Sequence, residues 1–390
     1  MQKVLVTIKT MIKNVMKKEP VLSIAVILAV ISMFVVHPDD TYASYIDFRT
    51  LAILFCLMVI VAGMREIGVF DCIAEMLLKK VKSISGIVTI LVLLCFFLSM
   101  IITNDVALIT FVPFALLIMN KVGEPHRRRW LVVCIVMQTA AANLGSMLTP
   151  IGNPQNLYLY GKAQMAIGSF LWLMLPYTIL SLLLLLAWIW VRAKKEKRKE
   201  GSSILPELSS NNRTVSDKKR LIVYLILFLL SLLAVGHILS IWIVFLLVLA
   251  YFASFDCKIL KNADYALLGT FTALFLFIGN LGRIPQFCGF LQELIRSREV
   301  MIAVAASQVM SNVPAAILLS GFTDQHQALI VGTNLGGLGT MIASMASLIS
   351  FKYISREDAT LRGSYFACFT AANLVLLAVL LIEAGILGVL

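Results

Sequence analysis

NLGSMLTPIGN at residues 143–153 and NLGGLGTMIAS at residues 334–344 are the two stretches that decide the fold. Written one above the other, they share Asn, Leu, Gly, Thr and Ile in register. Each interrupts an apolar run with glycine, amide and hydroxyl residues, and the first also contains Pro150. Glycine and proline interrupt helices, and irregular backbone at membrane depth persists only inside protein or beside an aqueous cavity. We therefore predict a break inside a transmembrane helix at each stretch.

The match between the two halves of the chain continues outside these stretches. T-N-D-V-A at 103–107 corresponds to S-N-V-P-A at 311–315, and each interrupts a longer apolar run, 84–120 and 299–321 respectively. We expect both runs to form re-entrant hairpins, which enter and leave the membrane on the same side. An internal repeat that contains interrupted helices is typical of secondary transporters.

The composition requires a membrane. Apolar residues make up 60% of the chain and charged residues only 14%, whereas soluble domains contain roughly 45–50% and about 25%. A soluble enzyme and a nucleic-acid-binding protein are therefore excluded. The sequence also contains no H-E-x-x-H motif and no C-x-x-C pair, so we expect no resident metal or cofactor and no intramembrane enzyme.

Apolar segments long enough to cross a bilayer number nine once the two hairpins are set aside. We predict an all-α polytopic membrane protein with two inverted repeats, each containing a re-entrant hairpin and a broken transmembrane helix. The predicted organisation is an amphipathic cytoplasmic segment at 1–20, repeat 1 at 21–192 with its broken helix at 130–157, a basic cytoplasmic loop at 193–220, a linking span at 221–236, and repeat 2 at 237–390 with its broken helix at 328–350.

The basic residues determine the predicted orientation. With the N-terminus inside and the C-terminus outside, 28 of the 33 Lys and Arg residues lie on the inner side, as the positive-inside rule requires. The net charge of +12 is therefore interpreted as an orientation signal and not as a nucleic-acid-binding surface. We predict an integral protein of a prokaryotic cytoplasmic membrane.

Together, the hairpin tips and helix breaks form the candidate site. Helix N-termini that follow a break present N–H donors to an anion, and unwound carbonyl oxygens can hold a cation. The predicted substrate- and ion-binding residues are Thr103, Asn104, Asp105, Asn143, Gly145, Thr149, Asn153, Ser311, Asn312, Asn334, Gly336, Thr340 and Ser344. Sodium sites are predicted at Thr103, Asn104 and Gly145, and at Ser311, Asn312 and Gly336.

Asp105 is the only charged residue in the interior of either hairpin, and its counterpart in the second copy is Val313. A charge at the centre of a membrane helix costs roughly 2.5–3.5 kcal/mol on insertion scales, and such residues usually mark an ion or proton path. Two interpretations remain open. Asp105 binds the coupling cation or proton, or it caps the second helix of the hairpin.

With its paired hairpins and paired breaks, the chain resembles the ion transporter superfamily over nearly its whole length. That superfamily includes the divalent anion–sodium symporters, the arsenite/antimonite permeases and some sodium/proton antiporters. The resemblance implies two halves that each contribute scaffold and transport parts, a homodimer, and an elevator motion that carries the site across the membrane.

Within the superfamily, the symporter hairpin tips read Ser-Asn-Thr and hold sodium and the substrate carboxylate. Asn104 and Asn312 match the central Asn, and Thr103 and Ser311 match the first hydroxyl residue. The third position departs from the pattern in both copies. An Asn-Asp tip followed by V-A-L-I-T-F-V-P at 106–113 is closer to the arsenite-permease-like branch.

The sequence therefore predicts an ion-coupled secondary transporter for a small anion, either a di- or tricarboxylate or an inorganic oxyanion. It would work by elevator-type alternating access with sodium or protons as the coupling ion. The alternatives are a proton-driven arsenite/antimonite efflux permease or a sodium/proton antiporter. A channel of the same fold is less consistent with two opposed hairpins.

Overall fold

A computed structural model describes residues 19–79, 81, 83–121, 124–200, 215, 217–261 and 263–390. Apart from one short 3-10 turn, every regular element in these ranges is an α-helix, which confirms the all-α prediction. The helices are α1 (Pro20–Val35), α2 (Tyr42–Tyr45), α3 (Phe48–Glu66), α4 (Val69–Leu78), α5 (Ile84–Ile102), α6 (Asn104–Lys121), α7 (Glu124–Ser146), α8 (Pro154–Ala163), α9 (Ile167–Glu200), α10 (Lys218–Val235), α11 (Ile241–Phe255), α12 (Cys257–Leu260), α13 (Tyr265–Leu281), α14 (Pro285–Ile295), α15 (Glu299–Met310), α16 (Asn312–Leu319), α17 (His326–Gly336), α18 (Met345–Glu357) and α19 (Arg362–Ile386).

Several helices are long and apolar enough to cross a membrane, as expected of a polytopic membrane protein. By length and composition, five described helices qualify: α3, α5, α6, α9 and α19. The pair α13 and α14 qualifies jointly, although its two helices meet at 105°. Three further apolar helices, α1, α11 and α15, are shorter than these. Nine crossings and their orientation stay predictions.

The chain divides into two compact units, and each unit contains segments of both predicted repeats. Unit 1 comprises described residues of 19–60, 227–296 and 317–324. In it, α1 lies along α13, and Asn280 Nδ2 donates a hydrogen bond to Ser32 Oγ (2.9 Å).

Unit 2 comprises described residues of 61–226, 297–316 and 325–390, and it contains both hairpin tips and both helix breaks. The first arm of each hairpin packs against the helix that precedes a break: α5 contacts α7, and α15 contacts α17. The copies also interlock, because α18 contacts α6 and α17 contacts α8. Every residue of the predicted site therefore belongs to one compact unit.

One helix differs in extent from the sequence-based boundaries, and two predicted segments lie in part outside the described residues. The helix α9 continues to Glu200, into the predicted basic loop, because Lys, Arg and Glu are good helix formers. The remainder of that loop at 201–214 and the predicted amphipathic segment up to residue 18 lie outside the described residues. The hairpins keep the unequal lengths of the predicted runs: α5 and α6 have 19 and 18 residues, and α15 and α16 only 12 and 8.

Candidate substrate and ion site

Each hairpin turns on a single hydroxyl residue with an unusual backbone conformation. Thr103 separates α5 from α6 with φ 71° and ψ 152°, and Ser311 separates α15 from α16 with φ 75° and ψ 154°. A residue with a side chain is rare at this positive φ, and such strain costs on the order of 1–3 kcal/mol. The two turns share this geometry, and at the second one Ser311 Oγ lies 3.4 Å from Asn312 Oδ1 and 3.5 Å from the Ala343 carbonyl oxygen.

Helical structure is interrupted at both quoted stretches. The first separates α7 from α8, and Pro154, the first residue of α8, suits a helix start because its missing N–H would be unpaired there anyway. The second separates α17 from α18 and contains Gly339 at φ 100°. Asn153 and Ser344 precede the new helices with nearly the same extended conformation, φ −142° and φ −138°.

Both tips are joined to the breaks by equivalent hydrogen bonds. The backbone N–H of Asn104 donates to the Gly152 carbonyl (3.2 Å), and that of Asn312 donates to the Ala343 carbonyl (3.0 Å). In the register of the two quoted stretches, Gly152 corresponds to Ala343. Thus the N–H group of the first residue of α6, and likewise that of α16, donates to a carbonyl in the helix break of the same repeat.

A second pair of bonds fixes each break to the first hairpin arm. Thr149 Oγ1 donates to the Met100 carbonyl (2.5 Å), and Thr340 Oγ1 donates to the Gln308 carbonyl (3.2 Å). The predicted residues Thr149 and Thr340 therefore hold the breaks in place, and each uses its hydroxyl proton to do so.

Gly145 and Gly336 permit the close approach that these bonds need. A Cβ atom on Gly145 would lie 2.0 Å from the Phe96 carbonyl oxygen and 2.8 Å from Ser99 Oγ. On Gly336 it would lie 2.6 Å from Ser307 Oγ. Both distances to serine are below any normal contact, so the helices before each break can pack this tightly only with glycine.

A network of buried amides connects the two copies. Asn143 Oδ1 accepts hydrogen bonds from Asn104 Nδ2 (3.0 Å) and from Ser344 Oγ (3.0 Å). Asn143 therefore joins the first tip directly to the end of the second break. From the other copy, Asn334 Nδ2 donates to Asn156 Oδ1 (2.6 Å).

Two buried oxygens in this region retain acceptor capacity. Asn153 is 3% exposed and Asn334 is 5% exposed, and the Oδ1 atoms of both lack a hydrogen-bond donor among the described residues. Amide oxygens are hard ligands that suit cations such as sodium, and a buried acceptor without a partner is unusual. These oxygens fit a cation-binding role.

Asp105 lies in the first turn of α6, next to the tip. It is partly buried, and its backbone N–H donates to Asn104 Oδ1 (2.9 Å). A carboxylate in a first turn is favoured by the helix dipole, so both interpretations of Asp105 remain compatible with its position.

Three residues that the sequence analysis did not select belong to the same network: Asn156, Gln308 and Ser347. Asn156 Nδ2 donates to the carbonyls of Ser146 (3.3 Å) and Thr149 (3.2 Å). Ser347 accepts from Asn143 Nδ2 (3.4 Å). The register of the repeat pairs positions 156 and 347, so extending the alignment by three residues would have found both.

The site is lined by amide and hydroxyl side chains, and no Lys or Arg with described burial is buried there. Among the residues whose burial is described, every Lys and Arg is at least partly exposed. An anion bound here would be neutralised by helix N-termini and amide donors. The helices α6, α8, α16 and α18 all begin at a tip or a break.

The chain combines apolar helices long enough to span a membrane with paired interruptions around buried polar groups. This combination is typical of membrane transport proteins. The chain belongs to the citrate transporter (CitMHS) family, whose sequence profile matches residues 4–328. That match includes both hairpin tips and the first break, and it ends before Asn334.

Individual relatives are also transport proteins or membrane proteins. An uncharacterized transporter of Methanocaldococcus jannaschii is 34% identical over 85% of this chain and 87% of its own length. The inner membrane protein YbiR of Escherichia coli K12 is 29% identical over 83% of this chain and 84% of its own. A silicon efflux transporter of Oryza sativa subsp. japonica is 29% identical over 42% of this chain and 34% of its own.

Proposed function

We propose that the protein is an ion-coupled secondary transporter that moves a small anion across the cytoplasmic membrane. The observation that carries the proposal is the pair of acceptor bonds at Asn143 Oδ1, from Asn104 Nδ2 and from Ser344 Oγ, both 3.0 Å. They bring the first hairpin tip and the end of the second break together at one buried point. Such a meeting of interrupted helices is where transporters bind their substrates.

The anion would bind at the helix N-termini. Four helices begin at the tips and breaks, and the positive end of each dipole and its first-turn N–H groups favour negative charge. The family description supports a polycarboxylate such as citrate. An inorganic oxyanion would use the same donors.

The coupling ion, sodium or a proton, would bind at the oxygens near the first tip. Asp105 provides the negative charge, and Asn153 Oδ1 provides a buried acceptor without a donor among the described residues. Cation binding beside the anion site lowers the electrostatic cost of bringing the anion into the membrane. Release of either ion would then weaken the binding of the other, which is the basis of coupling.

The proposed architecture is two inverted repeats with nine crossings, the N-terminus inside and the C-terminus outside. Unit 2 contains both tips and both breaks, so it is the part that would move as the elevator. The resemblance to the superfamily supports a homodimer, with unit 1 as the scaffold. The YbiR relative supports the inner membrane as the location.

A second candidate is efflux of an uncharged oxyacid such as arsenite, antimonite or silicic acid. The absence of buried Lys and Arg among the residues with described burial favours a solute that needs no countercharge, and one relative is a silicon efflux transporter. In this case Asp105 would carry the driving proton. A sodium/proton antiporter would use the same carboxylate without a second solute.

Uptake into proteoliposomes distinguishes the candidates. Sodium and proton gradients are imposed separately against citrate, succinate, sulfate, phosphate, arsenite and silicic acid. The proposal predicts gradient-dependent accumulation of at least one anion. Movement of arsenite or silicic acid alone would favour the second candidate, and no gradient-dependent movement of any solute would overturn both.

A further inference from the structure

The side-chain amide of Gln308 is hydrogen-bonded to the backbone of the second break. Gln308 Nε2 donates to the carbonyls of Gly336 (3.0 Å) and Leu338 (2.9 Å). Its Oε1 accepts from the backbone N–H of Thr340 (2.8 Å). The amide therefore holds three positions of one short loop from inside.

The loop is shaped around this amide. Gly339 has φ 100°, a conformation that favours glycine, and a Cβ atom there would lie 2.4 Å from Gln308 Oε1. The two loop carbonyls and the Val304 carbonyl of the same helix (3.2 Å) all accept from one positively polarised N–H₂ group. Converging carbonyls at an unwound helix are also what holds a monovalent cation in a transporter.

The first break is bound differently: Asn156, from α8, donates to the carbonyls of Ser146 and Thr149, and no side-chain amide enters it from α5. The repeat places Met100 where the second copy has Gln308, and a thioether has no N–H to donate. The carbonyls of Gly145 and Met147, which correspond to those that Gln308 binds, accept no side-chain donor from the described part of the chain, although Gly145 accepts the backbone N–H of Leu148 (3.2 Å). Asn156 binds other carbonyls of this break, from the α8 side.

The two copies also differ in charge, and this difference too favours a cation at the first copy. The first tip carries Asp105, and the second carries Val313 at the matching position. A carboxylate at the first tip makes cation binding in its copy more favourable than an apolar residue does at the second tip.

From these contacts we infer that the Gln308 amide occupies the second break in place of a cation, so that the protein binds sodium at the first break only. This inference rests on the proposed cation-coupled transport and specifies its stoichiometry. One sodium ion, held between the first tip and the first break, would accompany each cycle.

Exchanging residues between the copies tests the inference without a transport substrate. The full-length protein, Gln308→Met and Met100→Gln are placed in lipid nanodiscs, and the thermal unfolding midpoint is followed as sodium replaces choline at constant ionic strength. A ligand that binds the folded state raises the midpoint in proportion to the number of sites filled. Potassium in place of sodium provides an ionic control.

We expect the wild type to show the sodium-dependent shift of a single site. Met100→Gln inserts an amide into the first break and should raise the sodium concentration needed for the shift about tenfold or more, a change of about 1.4 kcal/mol or more. Gln308→Met empties the second break and should give a steeper dependence, up to about twofold in slope for two filled sites.

Three results would overturn the inference: no sodium shift in the wild type, a two-site slope in the wild type, or an unchanged sodium response in Met100→Gln. If Gln308→Met does not fold, the wild type and Met100→Gln still decide the outcome. Failure of the proposed function would look different, because it would appear as absent gradient-driven uptake in proteoliposomes whatever the nanodisc result.

Discussion

Thr103 and Ser311 are the residues at which the chain accepts strain. Their φ angles of 71° and 75° suit glycine better than threonine or serine. Glycine would adopt this conformation without strain. We therefore predict that both hydroxyls have a functional role, in contact with the transported ions.

Two substitutions at Thr103 separate the effect of backbone strain on stability from the effect of the hydroxyl group on uptake. Thr103→Gly should relieve the backbone and raise the free energy of unfolding by about 1 kcal/mol, while gradient-driven uptake falls. Thr103→Ala is the matched control, because it removes the hydroxyl and keeps the strained φ. It should lose uptake without gaining stability. Full uptake by both variants would show that the hydroxyl has no role in the site.

Asn143 is the residue whose loss should affect both copies at once. Asn143→Ala removes the acceptor of Asn104 Nδ2 and of Ser344 Oγ, and each stranded buried donor costs about 1–3 kcal/mol. We expect a lower thermal unfolding midpoint and loss of uptake in proteoliposomes.

Asn373 provides the control for removal of a buried amide. Its Nδ2 donates within α19, to the Phe369 carbonyl (2.9 Å), so this amide bonds inside its own helix and not to a tip or a break. Asn373→Ala should retain uptake. Equal uptake in the Asn143 and Asn373 variants would contradict the role given to the Asn143 network.

At the scale of elements, the breaks and tips were predictable because their signals are local. Pro154 and Gly339 disfavour a continuous helix because proline lacks a backbone N–H and glycine lacks a Cβ atom. The internal repeat shows the same interruption twice. The unequal lengths of the two hairpins were predictable as well, because the apolar runs at 84–120 and 299–321 already differ in length. Gln308 was missed since its role depends on contacts with a loop that lies far along the chain, which no local pattern encodes.

Helix packing at the breaks should be sensitive to a single methyl group. Gly145→Ala would place Cβ 2.0 Å from the backbone oxygen of Phe96, so α5 and α7 must separate. Overpacking of this kind costs about 1–3 kcal/mol, and sometimes more. Gly168→Ala in α9 is the matched control, because no atom lies within 4 Å of the added Cβ.

Thermal unfolding in lipid nanodiscs measures both glycine variants. Gly168→Ala should be neutral or slightly stabilising, since alanine is favoured over glycine in a helix by about 0.5–1 kcal/mol. An unchanged midpoint for Gly145→Ala would mean that the packing at the first break is looser than the structure indicates.

For the whole molecule, the strongest sequence signal is the distribution of basic residues. It predicts that the C-terminus lies outside and the loop at 193–220 inside. A phosphatase that is active only outside the cytoplasm should be active when fused after Leu390 and inactive when inserted in that loop, and a fluorescent reporter should give the reverse pattern. The same reporter activity at both positions would rule out the nine-crossing topology.

Unit 2 brings the tips, the breaks and Asp105 into one body, and coupling between a cation and an anion at that body is the central claim. The most direct measurement compares wild type and Asp105→Asn in proteoliposomes, for a solute that the wild type accumulates. Gradient-driven accumulation and gradient-free exchange of that solute are measured side by side. We predict that Asp105→Asn folds and still exchanges the solute but no longer accumulates it. Undiminished accumulation with unchanged dependence on sodium and pH would reduce Asp105 to a helix cap and contradict the proposed coupling.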